Sequence, residues 1–460
     1  MRRFMILFLL TGFAMAHPVF PVSTLSLSDA ELDALVAKLM ASAKIPGLAL
    51  ARIEEGRVAW TKVYGEASPG KPVTVQTSFN VASLTKPVFG VMVMHLVAQS
   101  QFNLDESLAN YWVDPDLEGD PRVKQLTARM VLSHQTGLPN WRGNKALAFQ
   151  FNPGEGTDYS GEGYEFLRRA IEKATGKTLP ELMKGLVKKA QMETASFGWP
   201  TNLEGNIATG FDEKAQPISD MYLKERGPAA ASSLFCSIED YANFTAWVSR
   251  GADLPQNLFQ TMQQNQAMHQ RSVEEFGLGW RLVDANGIKV LTHDGREDGV
   301  RTLVYVVPKD RSGFVLICNS SNGELLTRPL TQAAMPNGTE IVDAMDENAY
   351  RFALSVPAKI QPKMLAFIAQ SPAFVSKLLH GAEVHLIRPH FASKKDTLQI
   401  QKELERLVMA QLEGQIASEK LLAFFKTMGK PHDEGFELAA SLTQEEAEQW
   451  RKSVFELLKH

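Results

Sequence analysis

The sequence predicts an α/β fold in which helices flank an antiparallel sheet, with a helical insertion within the sheet and a separate all-helical module after it. Two strand-like runs, at 48–53 and 58–64, precede a long stretch of loops and short helices at 100–230. Strand-like runs return between 278 and 318 and are separated by short turns. Strands joined by short turns pair antiparallel, so we expect distant parts of the chain to complete one sheet.

The N-terminus has the three parts of a secretory signal peptide, at 1–16. Arg2 and Arg3 are positively charged, 4–15 is almost wholly apolar, and Ala14-Met15-Ala16 provides a small-x-small cleavage site. An uncleaved membrane anchor is the alternative, but the apolar stretch is shorter than the roughly twenty residues that span a bilayer. We therefore expect an exported protein, periplasmic or secreted, with no transmembrane anchor after cleavage.

The next elements follow from capping and periodicity. Ser28 and Glu31 form a capping box at the start of an amphipathic helix predicted at 28–43. A nearly continuous apolar run at 88–97 is too long for a strand and predicts a buried helix. The remaining expected helices and strands lie at 163–175, 179–190, 278–282, 289–291, 303–307 and 314–318.

The chemistry depends first on the Ser-x-x-Lys motif of Ser83 and Lys86. Residues three apart on a helix lie on one face, so Lys86 at the start of the buried helix can contact the Ser83 hydroxyl. Burial depresses a lysine pKa, which makes Lys86 a candidate base for a serine nucleophile. The motif alone is weak, because a plain helix cap is equally compatible and a second copy occurs at 68–71, in a Pro-Gly turn.

The surrounding sequence, NVASLTKP at 80–87, resembles the nucleophile segment of class C β-lactamases, DD-peptidases, D-aminopeptidases and related esterases. Five further segments resemble this family in the right order: IPG at 45–47, LSHQTGLP at 132–139, PGEGTDYSG at 153–161, FGLGW at 276–280 and HDG at 293–295. The resemblance covers roughly 28–325 and implies a β-lactamase/transpeptidase-like serine hydrolase domain, which we place at 17–340. Ser83 would be the nucleophile.

The resemblance implies that Tyr159 is the second activating group, which would pass a proton from Ser83 to the leaving group as a phenolate or as a neutral phenol between two cations. A buried core tyrosine is the alternative. Tyr241 lies in a triplet that matches the class C pattern more literally, Tyr-Ala-Asn, but Ser237 and Asp240 open what is expected to be an ordinary surface helix there. We therefore favour Tyr159.

The segment HDG stands where the family has Lys-Thr-Gly or His-x-Gly. By resemblance, His293 would lie on the strand lining the cleft and help bind the anionic end of the substrate, with Asp294 beside it. Gly295 would let the substrate lie flat against the strand. The backbone N–H groups of Ser83 and Arg296 would bind the oxyanion.

Two departures from the family pattern bear on specificity. Gly161 stands where the family's Tyr-x-Asn places an amide at the substrate-binding position, so the contact of that amide with an acylamino side chain would be missing. Ser232 and Ser233 stand where relatives often carry a glycine pair, which would narrow the cleft. His134 is interpreted as a hydrogen-bonded structural histidine and not as part of a Ser-His-Asp triad.

Composition and the absence of certain motifs argue against a nucleic-acid-binding protein, an α/β-hydrolase and a metalloenzyme. The net charge of −4 gives no basic field for nucleic acid, and no Gly-x-Ser-x-Gly, His-Glu-x-x-His or paired-cysteine spacing occurs. We expect no metal and no cofactor. The two cysteines, Cys236 and Cys318, are expected to be unpaired core residues, although export would permit a disulfide.

After about residue 340 the strand pattern stops, and 345–460 predicts a helical module. Its role stays open between a lid, self-association and a protein partner. The functional hypothesis is an acyl-transfer hydrolase acting on a small-molecule or peptide substrate, namely an ester, a D-amino-acid peptide or a β-lactam. The alternative is a weak or inactive penicillin-binding-like module that acts as a binding or scaffolding protein through its C-terminal helices.

Overall fold

The computed structural model describes residues 27–345, except residue 213 and residues 268–274. The predicted signal peptide at 1–16 lies outside the described residues. The same is true of the predicted helical module, apart from its first residue.

An eight-stranded antiparallel sheet forms the centre of the described part, in the order β3-β2-β1-β11-β10-β9-β8-β7. A second, three-stranded sheet has the order β4-β6-β5. The strands are β1 Gly47–Glu54, β2 Arg57–Ser68, β3 Lys71–Pro72, β4 Phe79–Asn80, β5 Ser196–Phe197, β6 Leu234–Cys236, β7 Glu275–Phe276, β8 Arg281–Ala285, β9 Ile288–Glu297, β10 Val300–Val307 and β11 Ser312–Cys318. Because β1 pairs with β11, the two ends of the domain close one sheet, as the sequence predicts.

Helices cover both faces of the large sheet. They are α1 Asp29–Ser42, α2 Thr85–Ala98, α3 Ala128–Leu132, α4 Gly161–Thr175, α5 Leu179–Lys189, α6 Met221–Glu225, α7 Ile238–Ser249, α8 Gln256–Met262 and α9 Glu324–Ala334. α1 and α9 share one buried cluster with the sheet, while α2, α7 and the rest of the insertion share the other. This arrangement confirms the predicted α/β class.

Strand β11 shows how the sequence builds both clusters. Its seven residues are all buried, and successive side chains of a strand point to opposite faces. Phe314 and Leu316 belong to the cluster under α1 and α9, whereas Val315 and Ile317 belong to the cluster under α2 and α7. A continuous apolar run is therefore what a strand covered on both faces requires.

Two sequence expectations were wrong in detail. The strand predicted at 278–282 begins only at Arg281, because Gly279 has a φ of 87° and packs against Gly90 of α2. The helix that carries Tyr241 is not a surface helix: α7 packs against the sheet, and the buried Tyr241 hydroxyl donates to the Leu84 carbonyl at 2.9 Å. Tyr241 is thus a satisfied core residue.

Cys236 in β6 and Cys318 in β11 are both buried and free. Within the described ranges, no helix is long and apolar enough to cross a membrane. The same residues contain no cluster of three or more His, Cys, Asp or Glu side chains that could hold a metal ion.

Candidate active site

Ser83 lies on a single 3-10 turn, Ala82–Leu84, that leads into α2. The turn is fixed locally, since Ala82 has a φ of 48° and its N–H donates to the Asn80 side chain at 2.8 Å. The Thr85 hydroxyl donates to the Ala82 carbonyl at 2.6 Å and accepts from the Leu234 N–H at 3.0 Å. Ser83 is therefore held just before α2 and not within it.

Lys86 is completely buried beside the nucleophile. Its Nζ lies 3.2 Å from Ser83 Oγ and donates to the Ala231 carbonyl at 2.9 Å. The same nitrogen lies 4.6 Å from the Tyr159 ring centroid and 5.5 Å from that of Tyr164. The three-residue spacing thus places the serine and lysine side chains in contact, and two aromatic rings enclose the amine.

Burial sets the charge of this amine. It lowers the pKa of Lys86 from 10.5 to about 7, against the field of the Glu165 carboxylate, which is the strongest opposing influence. Glu165 also accepts a hydrogen bond from the Ala231 N–H at 3.0 Å, on the residue whose carbonyl binds Lys86. Near neutral pH a large fraction of Lys86 is therefore uncharged and able to accept a proton.

Tyr159 precedes α4, and its side chain lies within hydrogen-bonding reach of the Ser83 side chain. Burial raises the pKa of Tyr159 above its ordinary value of 10, the Asp294 charge raises it further, and the contact with Ser83 only partly opposes this. Tyr159 is accordingly a neutral phenol at pH 7. A neutral phenol that touches the nucleophile can accept and donate a proton in one step.

His134 holds the loop that carries Tyr159. Its ring lies 4.4 Å from the Tyr159 ring, and its Nδ1 accepts from the Ser160 N–H at 3.1 Å. Its carbonyl accepts from the Asp158 N–H at 2.9 Å. Burial holds the pKa of His134 well below its ordinary value, so the ring is neutral. Its contacts are those of a structural histidine.

His293 lies on β9, buried, with its ring 6.0 Å from the ring of Tyr159. Its Nδ1 lies 2.7 Å from the Asp294 carbonyl, and because a carbonyl only accepts, Nδ1 carries the proton. Burial lowers the pKa of His293 to about 3. The ring is thus neutral at pH 7.

The neighbouring glycine brings β9 against the nucleophile turn. A Cβ at Gly295 would overlap Thr302 Oγ1, would stand 2.6 Å from the Val81 carbonyl oxygen and would lie 3.2 Å from the Ser83 nitrogen. Strand β9 therefore passes close to the Ser83 nitrogen at Gly295. The N–H of Arg296, the next residue of β9, is the second oxyanion donor that the resemblance implies beside the Ser83 N–H.

The side chains that flank Gly295 are engaged in ion pairs. Asp294 accepts from Arg281 at 3.0 Å, and Arg296 donates to Glu324 at 2.7 Å. Asp294 therefore acts on the site through its field, which reaches Lys86, Tyr159 and His293. The Arg296 guanidinium is held by α9, while its backbone remains in β9.

Gly161 is the first residue of α4, two positions after Tyr159. A Cβ there would lie 2.7 and 2.8 Å from two ring carbons of Trp141. The indole thus occupies the space that a side chain at position 161 would enter. Ser232 and Ser233 are both buried, and Ser233 turns inward to bond the Ala229 backbone at 2.7 and 2.9 Å.

Comparison with known proteins identifies the arrangement. The sequence model of the Beta-lactamase family matches residues 32–334, which include all the site residues above. The chain belongs to the Beta-lactamase family. Two solved structures share its fold: the octameric penicillin-binding protein homologue from Pyrococcus abyssi and a class C β-lactamase mutant.

These likenesses are remote. The Pyrococcus abyssi structure has 18% identity and a TM-score of 0.58, covering 71% of this chain and 82% of that one. The class C β-lactamase mutant has 19% identity and a TM-score of 0.53, covering 63% of this chain and 91% of that one. At such identities the structural neighbours of this Beta-lactamase family chain establish the fold alone.

The curated relatives are equally distant. Protein flp of Staphylococcus aureus (strain N315) is 20% identical over 316 residues, which is 64% of this chain and 63% of that protein. A D-aminopeptidase of Brucella anthropi is 22% identical over 324 residues, which is 64% of this chain and 59% of that protein. The match thus spans about three fifths of each relative. The family includes hydrolases such as D-aminopeptidase and class C β-lactamase.

Sequence reasoning missed three residues that shape the site. Glu165, Ala231 and Trp141 lie far along the chain from the site groups that they contact, although Glu165 also pairs with Arg168 at 2.7 Å, one turn along α4. The one signal for Glu165 is a carboxylate within the largely buried first half of α4, where Tyr164, Phe166 and Leu167 are core residues. An acidic residue there costs free energy unless it is paired, so it marks a functional or structural contact.

Proposed function

We propose that this protein is a serine hydrolase that forms an acyl-enzyme at Ser83. The observation that carries the proposal is the buried Lys86 amine, 3.2 Å from Ser83 Oγ, whose pKa of about 7 leaves it partly neutral at physiological pH. An ordinary surface lysine is protonated at that pH and cannot act as a base. A helix cap needs no buried lysine, so the geometry favours a nucleophile.

Acylation proceeds by attack of Ser83 Oγ on an ester or amide carbonyl. The hydroxyl proton passes to neutral Lys86 or, through Tyr159, to the leaving group. The carbonyl oxygen becomes an oxyanion, which the N–H groups of Ser83 and Arg296 stabilise. The tetrahedral intermediate then collapses, the bond to the leaving group breaks, and the leaving alcohol or amine departs with the proton.

Deacylation repeats these steps with water. Tyr159 and Lys86 are the groups near Ser83 that can take a proton from the attacking water and return it to Ser83 Oγ. The carboxylic acid leaves, and the free hydroxyl is restored. The neutral His293 presents Nε2 as an acceptor, because Nδ1 carries the proton. In this role it accepts a hydrogen bond from an N–H or O–H group of the substrate or from the Tyr159 hydroxyl, and it does not bind the anionic end of the substrate that the resemblance assigned to it.

The substrate is an ester, a D-amino-acid peptide or a β-lactam. The names of two similar proteins, a D-aminopeptidase and a class C β-lactamase mutant, support the peptide and β-lactam alternatives. The glycine at position 161 supports the ester alternative, because no amide at that position contacts an acylamino group. We further propose export, with cleavage after Ala16, on the basis of the signal-peptide pattern.

Turnover assays test the proposal. Protein beginning at His17 is assayed with p-nitrophenyl acetate, a D-alanyl-D-alanine peptide and benzylpenicillin, beside Ser83→Ala. Hydrolysis of at least one compound by the wild type, lost at least 10³-fold in the variant, is the expected result. If folded wild type consumes none of them, the non-catalytic alternative, in which 345–460 recruits a partner, becomes the better account.

A further inference from the structure

Trp141 is one of four large hydrophobic side chains exposed in the described part of the chain, with 48% of its surface accessible. Its exposure is not a result of a loose backbone, because both neighbours are pinned to α4. The Asn140 carbonyl accepts from the N–H groups of Gly161 and Glu162 at 3.1 and 3.0 Å. The Arg142 N–H donates to Glu162 Oε1 at 3.1 Å.

The Arg142 side chain strengthens this anchorage. Its guanidinium lies 3.0 Å from Glu162, 2.6 Å from the buried Asp114 and 2.8 Å from Asp116. These ion pairs neutralise the Arg142 guanidinium, and the indole of Trp141 is the part of this segment that is exposed to solvent. An exposed aromatic ring on a fixed backbone loses little conformational freedom on contact with a ligand, which is why such rings serve as binding surfaces.

The Trp141 ring lies against Gly161, two residues after Tyr159. Two carbons of the indole lie 2.7 and 2.8 Å from the position that a Cβ of residue 161 would take. Gly161 follows Tyr159 by two residues, so its Cα lies within about 7 Å of the Tyr159 Cα. The Tyr159 ring centroid lies 4.6 Å from Lys86 Nζ, which in turn lies 3.2 Å from Ser83 Oγ. A group attached to the carbonyl under attack would therefore have the indole within reach.

We propose that Trp141 forms an apolar subsite for the acyl group of the substrate, and that the subsite exists because position 161 has no side chain. This inference rests on the proposed hydrolase function and names its substrate class as esters or amides of apolar, preferably aromatic, acids. A flat indole offers no hydrogen-bond acceptor to an acylamino N–H, whereas it packs well on a phenyl ring.

Acyl selectivity tests the subsite. The ratio of kcat/KM for p-nitrophenyl phenylacetate to that for p-nitrophenyl acetate is measured in wild type, Trp141→Ala and Trp60→Ala. Trp60, a partly buried tryptophan on β2 that Arg52 covers at 5.5 Å, is the control. The ratio should fall at least tenfold in Trp141→Ala and stay within twofold in Trp60→Ala. An unchanged ratio, or an equal loss on both esters, overturns the subsite.

A second variant tests the same contact by changing Gly161 and keeping Trp141. Gly161→Ala places a methyl group against the indole and should lower the same ratio, with Trp141 still present. Because aromatic rings also bind cations, the p-nitrophenyl esters of 6-aminohexanoate and hexanoate are compared. A tenfold preference for the aminohexanoate ester over the hexanoate ester overturns the apolar assignment.

A binding measurement separates this inference from the proposed function. Methyl phenylacetate is titrated into Ser83→Ala with and without Trp141→Ala, and binding is followed by saturation-transfer NMR. Binding that requires Trp141 supports the subsite even where wild type hydrolyses nothing, in which case the hydrolase proposal alone fails. Hydrolysis with no effect of Trp141 leaves the hydrolase and removes the subsite. If wild type hydrolyses nothing and Ser83→Ala does not bind methyl phenylacetate, both the hydrolase proposal and the subsite proposal fail.

Discussion

The Lys86 amine lies 3.2 Å from the Ser83 hydroxyl at the end of a side chain that is fully buried. Keeping it there costs stability. Lowering its pKa from 10.5 to about 7 corresponds to roughly 5 kcal/mol. Between these two values the unfolded chain binds more protons than the folded one, so the cost is complete below about pH 7 and disappears as the pH rises toward 10.5.

Lys86→Met should therefore raise stability while it abolishes turnover. We expect a gain of roughly 2 kcal/mol or more at pH 6, after allowing for the lost hydrogen bonds to Ser83 and Ala231. The gain should shrink at pH 9.5. Urea unfolding at both pH values measures it, and the exposed Lys177→Met, expected to stay within about 0.5 kcal/mol, is the control. A destabilised Lys86→Met at pH 6 would contradict the assigned burial cost.

The same amine predicts the pH dependence of catalysis. If neutral Lys86 accepts the Ser83 proton, kcat/KM rises with pH through about 7. The Glu165 carboxylate raises the pKa of Lys86, so Glu165→Gln should move the rise to lower pH while the amide still accepts from the Ala231 N–H. Glu172→Gln, on the same helix, should leave the midpoint in place. If the midpoint of the pH profile moved equally in Glu165→Gln and Glu172→Gln, Glu165 would have no specific effect on Lys86.

Tyr159→Phe isolates the phenolic hydroxyl. The phenyl ring keeps its contacts with His134 and Lys86, so stability should change by no more than about 1 kcal/mol. Loss of the proton relay should lower kcat about 10²- to 10⁴-fold. Steady-state kinetics and thermal unfolding measure the two effects. A variant with wild-type kcat would show that Lys86 alone moves the proton.

Gly295→Ala tests the approach of β9 to the nucleophile turn. The added Cβ would overlap Thr302 Oγ1 and would stand 2.6 Å from the Val81 oxygen, so the strand must move away from Ser83. We expect kcat/KM to fall at least 10²-fold, because the loss of one oxyanion donor has that effect. Gly185→Ala, in the open middle of α5, should instead stabilise the protein by about 0.5–1 kcal/mol with normal kinetics.

Local pattern predicts much of this molecule. The hairpin of β1 and β2, the buried α2 and the Ser83–Lys86 pair follow from periods of two and 3.6 residues and from the three-residue spacing. The position of Tyr159 beside Ser83 followed from the family resemblance and not from any local rule, since 76 residues separate them in the chain.

Contacts between distant segments are what the pattern did not reveal. Ala231 and Glu165 are 66 positions apart, and their hydrogen bond depends on how the segment before β6 packs against α4. The fit of Trp141 over Gly161 is likewise a property of the folded loop. Gly279 adopts its positive φ where α2 passes at Gly90, so only the packed helix explains why β8 begins at Arg281.

The most direct test of the central claim is intact-mass analysis after brief exposure to p-nitrophenyl phenylacetate and, separately, to benzylpenicillin. Wild-type protein should gain the mass of one acyl group with at least one of them, and peptide mapping should place the group on Ser83. Ser83→Ala should gain none. An adduct that persists in Ser83→Ala, or turnover by wild type without dependence on Ser83, would contradict the acyl-enzyme mechanism.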